Sequence, residues 1–139
     1  MRTFHLRVVA HDKVFYDGQA GSITLPAYDG EIQILYDHEN YIFAVVPGGL
    51  KIRNEQGEVI RAVCGSGFAE VFTDTEVEVL VDTIEKPEEI DVRRAREAKE
   101  RAEEQLRQHQ SQLEYHRSTT SLARAMARLK EASKFNKTI

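Results

Sequence analysis

Ile90-Asp91-Val92-Arg93-Arg94-Ala95 divides this chain into two kinds of sequence. Behind it no Gly or Pro occurs as far as the C-terminus, and Ala, Glu, Arg, Lys, Gln and Leu dominate. Such residues favour helix. Pro87 stands just outside, where a helix can still begin, and Glu88, Glu89 and Asp91 put negative charge at the electropositive helix start. Ala95, Ala98, Ala102, Leu106 and Leu113 form a narrow apolar stripe on one face. After Tyr115, Ser118-Thr119-Thr120-Ser121 offers N-cap candidates for a second helix, whose stripe is Leu122, Ala125, Met126, Leu129 and Ala132. Two helices, a short polar joint and matching stripes predict an antiparallel hairpin. Small residues let the helices approach closely. A hairpin seated on alanines buries less apolar area than one seated on leucines, so it should open more readily.

Ahead of Ile90 the pattern changes to short alternating runs. Residues 6–9, 22–25, 32–35, 41–46, 50–53, 59–64, 68–72 and 77–81 read as strands. Asp17-Gly18, Asp29-Gly30, Pro47-Gly48-Gly49, Gln56-Gly57 and Gly65-Ser66-Gly67 read as turns. Short strands at even spacing, with no helical pattern between them, predict an antiparallel β-sandwich or barrel. The expected architecture is a β domain over residues 1–87 followed by a helical hairpin over residues 88–139. Glu85-Lys86-Pro87 is the boundary.

The 139 residues carry a net charge of −4, and no apolar run is long enough to cross a membrane as a helix. Met1-Arg2-Thr3-Phe4-His5 leads straight into a strand pattern, so no signal peptide is expected. The single cysteine, Cys64, sits in an apolar alternation and reads as core. Charge is unevenly divided: residues 1–87 hold 7 Lys and Arg against 14 Asp and Glu, and residues 88–139 hold 12 against 9. From Ser121 on, Arg124, Arg128, Lys130, Lys134 and Lys137 face only Glu131. A basic helix behind an acidic body points to an acidic partner or a phosphate ligand, or simply to a solvated face.

Catalytic chemistry has no foothold in the motifs. His5, His11, His38, His109 and His116 lack metal-site spacing, and there is no Cys pair to complete a zinc site. Gly65-Ser66-Gly67 lacks the Lys-Ser/Thr of a phosphate-binding loop, and no nucleophile motif occurs. A non-catalytic protein is expected, with no metal. A single-strand nucleic-acid barrel needs a basic groove with interleaved aromatics, and the acidic β part argues against one.

Five segments, in order, resemble the epsilon subunit of the bacterial F-type ATP synthase over essentially the whole chain. They are Thr24-Leu25-Pro26-Ala27-Tyr28-Asp29-Gly30-Glu31, Pro47-Gly48-Gly49-Leu50-Lys51-Ile52, Gly67-Phe68-Ala69-Glu70-Val71, Ile90-Asp91-Val92-Arg93-Arg94-Ala95 and Leu122-Ala123-Arg124-Ala125-Met126-Ala127-Arg128-Leu129. The resemblance implies a sandwich of about ten strands at the foot of the rotor, bound to the gamma subunit and the c-ring. It also implies a hairpin that lies on the sandwich or extends along gamma among the catalytic subunits, where it blocks ATP hydrolysis. Glu31 and His38 fall at positions where the family meets its rotor partners. Arg124, Arg128, Lys130 and Lys134 would meet the beta subunits, beside alpha. The implied location is peripheral, on the cytoplasmic face of the bacterial plasma membrane, within the complex. The chain departs from the family pattern at Gln33, at Ser66 and in Tyr36-Asp37-His38-Glu39-Asn40, where the family usually shows Pro-Gly-His-Ala-Pro. A competing reading is an unrelated β-sandwich binding module with a helical dimerisation arm.

Some bacterial members of that family bind ATP as a regulatory ligand through an Ile-Asp-x-x-Arg-Ala motif and arginines of both helices. The resemblance carries this role to Ile90, Asp91, Arg94, Ala95, Arg101, Arg124 and Arg128, with Glu85 at an acidic position just before the hinge. Spacing is compatible, because Arg94 and Arg101 lie two turns apart and Arg124 and Arg128 one turn apart. Guanidinium groups from two helices suit a triphosphate, since each forks onto phosphate oxygens and stays charged. Asp91 and Glu85 would accept from the adenine amino group, with Ile90 and Ala95 against the ring. The plain alternative pairs Arg101 with Glu97 and Arg93 with Glu89 or Glu97, and leaves the rest in water.

Overall fold

A computed structural model describes residues 2–73, 75–108 and 112–138, without the side chains of residues 112–116, 137 and 138. His109 and the side chains of Leu113, Tyr115, His116 and Lys137, named above, lie outside the described residues. The chain divides into two compact units, Met1–Glu85 and Lys86–Ile139.

The first unit holds nine strands among the described residues: β1 (Phe4–Ala10), β2 (Lys13–Ala27), β3 (Gly30–Leu35), β4 (Tyr41–Val45), β5 (Gly48–Asn54), β6 (Val59–Cys64), β7 (Gly67–Thr73), β8 (Glu76–Val81) and β9 (Ile84–Glu85). They pair in the order β4-β7-β8-β1-β2-β5-β6-β9, with β3 also on β2. The 15-residue β2 serves two layers. Its first half pairs with β1, β5 joins it from Ala20 and β3 from Ser22, the register with β5 slipping between Ala20 and Ser22. Side chains alternate across each strand. Phe4, Leu6 and Val8 of β1 therefore join Val77 and Val79 of β8 in one inner face, while Ile23, Leu25, Ile34, Leu50 and Ile52 form the other. Cys64 belongs to this core, and burial pushes its thiol up to about 12, which keeps it protonated and unreactive.

Two turn readings change. Asp17-Gly18 is not a turn but the middle of β2, opposite Arg7 and Leu6. Alternation over residues 13–21 is weak because Lys13 and Val14 are both exposed, Phe15 and Tyr16 both half-buried and Ala20 and Gly21 both buried, so pairing rather than patterning creates the strand. In Pro47-Gly48-Gly49 only Pro47 lies in the turn, and both glycines belong to β5. A Cβ on Gly48 would press on the Pro26 ring at 2.8 Å. The glycines of Gly65-Ser66-Gly67 have a similar origin: a Cβ on Gly67 would collide with the Leu80 carbonyl, and one on Gly65 with the Asp82 carboxylate. Close strand approach, not phosphate binding, explains that motif.

In the second unit a 3-10 turn at Pro87–Glu89 leads into α1 (Val92–Arg107), which is followed by α2 (Gln112–Thr138). Asp91 is the N-cap of α1, its Oδ1 accepting from the Arg94 N–H at 3.2 Å. The joint between the helices falls earlier than the sequence pattern suggests. Ser118-Thr119-Thr120-Ser121 lies inside α2 instead of capping it. Ser118 is buried and its hydroxyl donates to Gln105 Oε1 at 2.8 Å, so a partner on the facing helix replaces the capping role. Ala95, Ala102 and Ala125 are buried, as the stripes predict. Met126 is 51% exposed and lies off the stripe, one residue's rotation from Ala125. Exposed pairs Arg93–Glu97 at 3.2 Å and Lys99–Glu103 at 3.8 Å support α1, each by about 0.3–0.5 kcal/mol.

All strand pairs are antiparallel except β1 with β8, which is parallel. His5 ties β1 to both neighbours: Nδ1 meets Glu76 Oε2 of β8 at 2.9 Å and Nε2 meets Asp17 Oδ1 of β2 at 2.6 Å. A neutral imidazole donates from one nitrogen only, so both bonds require the charged ring. The hydrogen bond to Glu76, then that to Asp17, raises the His5 pKa above its ordinary 6.5. Because the folded value is the higher one, this stabilisation is complete below the unfolded value near 6.5 and fades as pH climbs through the folded value. The urea midpoint of the β unit, followed by tyrosine fluorescence, should therefore fall as pH rises from about 6 to 8.5. His5→Gln should remove that dependence.

Candidate functional site

On α1, Arg94, Ala98, Arg101, Ala102 and Gln105 recur at four-, three-, one- and three-residue steps, which puts them on one helix face. Ser121, Arg124, Ala125 and Arg128 do the same on α2. The two faces enclose a cleft of about 380 Å³ within the hairpin unit. Its floor is alanine, and four guanidinium side chains stand around it. No carboxylate is among the described lining residues. Arg94 and Arg101 are exposed, whereas Arg124 and Arg128 are half-buried and Arg124 Nε is shielded from solvent. Every lining polar group except the Gln105 and Ser121 oxygens is a donor, so the cleft suits a ligand made of acceptors that carries several negative charges.

Of the residues assigned to ATP from sequence, Arg94, Arg101, Arg124 and Arg128 come together here. Ile90, Asp91 and Ala95 do not line the cleft. Ala95 is fully buried, Ile90 is 8% exposed, and Asp91 is occupied as the helix cap. Glu85 belongs to the other unit, as the last residue of β9, opposite Val63. Arg93 pairs with Glu97, as the plain alternative had it. Gln105 and Ser121 are lining residues that sequence reasoning passes over. The available signal was spacing alone: Gln105 follows Arg101 by four residues, and Ser121 precedes Arg124 by three.

Lys130 and Lys134 are exposed and lie outside the cleft, with Lys134 Nζ 3.4 Å from Glu131 Oε1. In the β unit, Glu31 is exposed near the start of β3. His38 Nδ1 lies 3.0 Å from the Glu39 carbonyl, and its ring is 6.5 Å from Tyr41, which stacks on Phe43 at 5.5 Å. Arg2 sits 5.3 Å over the Tyr36 ring, and Asp37 takes a left-handed φ of 67°. The segment that departs from the usual family wording is thus an aromatic, tightly turned loop.

A second surface is visible only in the strand register. Ala44, Phe68, Leu80, Val9 and Val14 stand side by side across β4, β7, β8, β1 and β2 on the outer face. Phe68 is 46% exposed and Val14 53%. The row is an exposed apolar strip on an otherwise solvent-facing side of the sheet.

The model of the ATP synthase delta/epsilon chain beta-sandwich domain matches residues 3–87, and that of the delta/epsilon long alpha-helix domain matches residues 88–133. An ATP synthase epsilon chain of Ruminiclostridium cellulolyticum is 48% identical over 134 residues, covering 96% of this chain and 98% of its own length. The epsilon chain of Caldanaerobacter subterraneus subsp. tengcongensis is 40% identical, covering 96% of each. The fold is shared with a chain in the Euglena gracilis mitochondrial ATP synthase, solved as OSCP/F1/c-ring in rotational state 1. That match has a TM-score of 0.78 and 24% identity, and covers 94% of this chain and 81% of the other. A chain of the Tetrahymena thermophila central stalk and c-ring also shares it, with a TM-score of 0.67 and 14% identity, covering 94% and 97%.

The Asp91 cap holds the Arg94 turn in place. Asp91→Ala should cost about 1 kcal/mol of local stability. Amide hydrogen exchange should show lost protection in the first turn of α1 and an unchanged rate in β1.

Proposed function

This chain belongs to the ATP synthase delta/epsilon family, among the bacterial epsilon chains, and on that premise we propose that it is a non-catalytic rotor subunit whose hairpin restrains ATP hydrolysis and binds ATP as a regulatory ligand. The β unit is the anchor. Its apolar outer row offers the rotor a surface, and Glu31 and the His38 loop offer a second contact, toward gamma. That fold neighbours come from central-stalk and c-ring assemblies supports this placement. The subunit then sits at the cytoplasmic face of the membrane, held there by the complex. The competing dimerisation module loses its ground, since family membership covers both units.

The observation that carries the ATP reading is the convergence of Arg94, Arg101, Arg124 and Arg128 on one cleft without a carboxylate among its described lining. Like charges brought together by two helices repel, so a triphosphate between them favours the closed hairpin by differential binding. When the hairpin opens, the cleft is lost, and the same arginines with Lys130 and Lys134 become available to acidic surfaces of the beta subunits, beside alpha. One group of charges thereby serves two exclusive states. Asp91 serves the site as the cap of the turn that carries Arg94.

Calorimetry on the full chain should give a saturable heat with ATP. Arg94→Ala and Arg124→Ala should each weaken it at least roughly tenfold, the worth of one charged hydrogen-bond pair, while circular dichroism stays unchanged. Absence of heat at millimolar ATP would remove the regulatory ligand. In the assembled enzyme, a chain ending near Glu88 should support coupling and raise ATP hydrolysis. Replacing Arg124, Arg128, Lys130 and Lys134 together by Ala should do the same, whereas any single lysine replacement should do little, because exposed pairs are worth on the order of 0–1 kcal/mol. Hydrolysis no faster after truncation would refute the restraint.

A further inference from the structure

We infer that Gln105 is a further anion-binding residue of the cleft and that Ser118 is the residue that positions it, an inference that rests on the nucleotide reading above. Gln105 lines the cleft from the last two turns of α1, about 6 Å along the axis from Arg101 and about 16 Å from Arg94. It is exposed, so its amide is free to reach a bound ligand. A carboxamide is ambiguous as a ligand, because one end accepts and the other donates, and rotation by half a turn exchanges them. One of the two arrangements is present here. The Ser118 hydroxyl, buried at 3% exposure on the facing helix, donates to Gln105 Oε1 at 2.8 Å. With Oε1 engaged by Ser118, Gln105 has its two Nε2 donors to offer, the same polarity as the guanidinium groups farther along the wall.

The pairing also spans the two helices. Ser118 lies in the same α2 segment as Ser121 and Arg124, one turn and under two turns away. Ser118 can anchor the Gln105 side chain only while α1 and α2 are in contact. An extended hairpin loses the Ser118 bond, and the Gln105 side chain is no longer anchored across the seam. The Gln105 contribution to anion binding therefore exists only in the closed state, which makes it part of the discrimination between states and not merely one more contact. A neutral donor at this end also lets the cleft hold an anion without a fifth mutually repelling cation.

The test is calorimetry on the full chain with ATP and, separately, with inorganic tripolyphosphate. Gln105→Leu keeps volume and helix propensity and should weaken both ligands roughly tenfold, as expected for a hydrogen bond to a charged group. Gln105→Glu, of nearly the same shape, should weaken them further by repulsion. Ser118→Ala should weaken binding roughly threefold although alanine is the better helix former, so a loss of affinity with undiminished helicity excludes simple unfolding. The double variant Gln105→Leu/Ser118→Ala should bind no more weakly than Gln105→Leu alone, because Ser118 acts through Gln105. Wild-type affinity in both Gln105 variants, with binding still lost in Arg124→Ala, would overturn this assignment and leave the nucleotide site standing. Additive losses in the double variant would overturn the positioning role of Ser118. No binding of either probe by the unaltered chain would overturn the nucleotide reading and this inference together.

Discussion

The hairpin depends on small buried residues along both of its helices. With Ala95, Ala102 and Ala125 buried, two charged helices come close enough for arginines on both to share one cleft. Leucine at those positions would bury more apolar area and hold the helices harder, but it would also fill the space. The small residues therefore set two properties at once. The cleft exists because the seam is thin, and the hairpin opens readily for the same reason. Concentrating cations across such a seam works against closure until an anion arrives, so the balance between states is sensitive to whatever occupies the cleft.

The β unit is built for the opposite behaviour. Both of its layers turn large branched side chains inward, and Leu6, Val8, Ile23, Leu25, Ile34, Ile52 and Val79 are completely buried. One long strand, β2, takes part in both layers, which ties them through covalent chain as well as through packing. Opening such a core exposes far more apolar surface than separating two alanine seams does. Local opening free energies accordingly differ between the units, as is common where a moving element is joined to a fixed one. The division of charge follows the same line, with the acidic body and the basic second helix separated at the boundary.

Much of this was legible in the residues. The change from alternation to uninterrupted helix formers fixed the two architectures, because strand and helix periods differ and Gly and Pro stop at the hinge. Asp91 announced the start of α1 through its chemistry, and the i, i+4 and i, i+7 spacings placed the arginines of each helix on one face. The Gly65-Ser66-Gly67 turn was readable as a turn, though not the reason for its glycines, which lies in the approach of β7 to the Leu80 carbonyl.

Tertiary structure decided the rest, wherever a residue's role depends on what faces it across the chain. The first half of β2 carries little pattern of its own and is a strand because β1 lies beside it. Ser118-Thr119-Thr120-Ser121 has the chemistry of a cap, but Gln105 on the facing helix supplies Ser118 with a partner and the helix runs through. The apolar outer row from Ala44 to Val14 draws one residue from each of five strands, so no window of sequence contains it. Beyond its spacing from Arg101, Gln105 carries no signal in the sequence, and only the register of α1 against α2 brings a buried hydroxyl to its carbonyl oxygen. Periodicity is a property of one segment and can be read from it. Register between segments is set by the packing of both, and that information is not local to either.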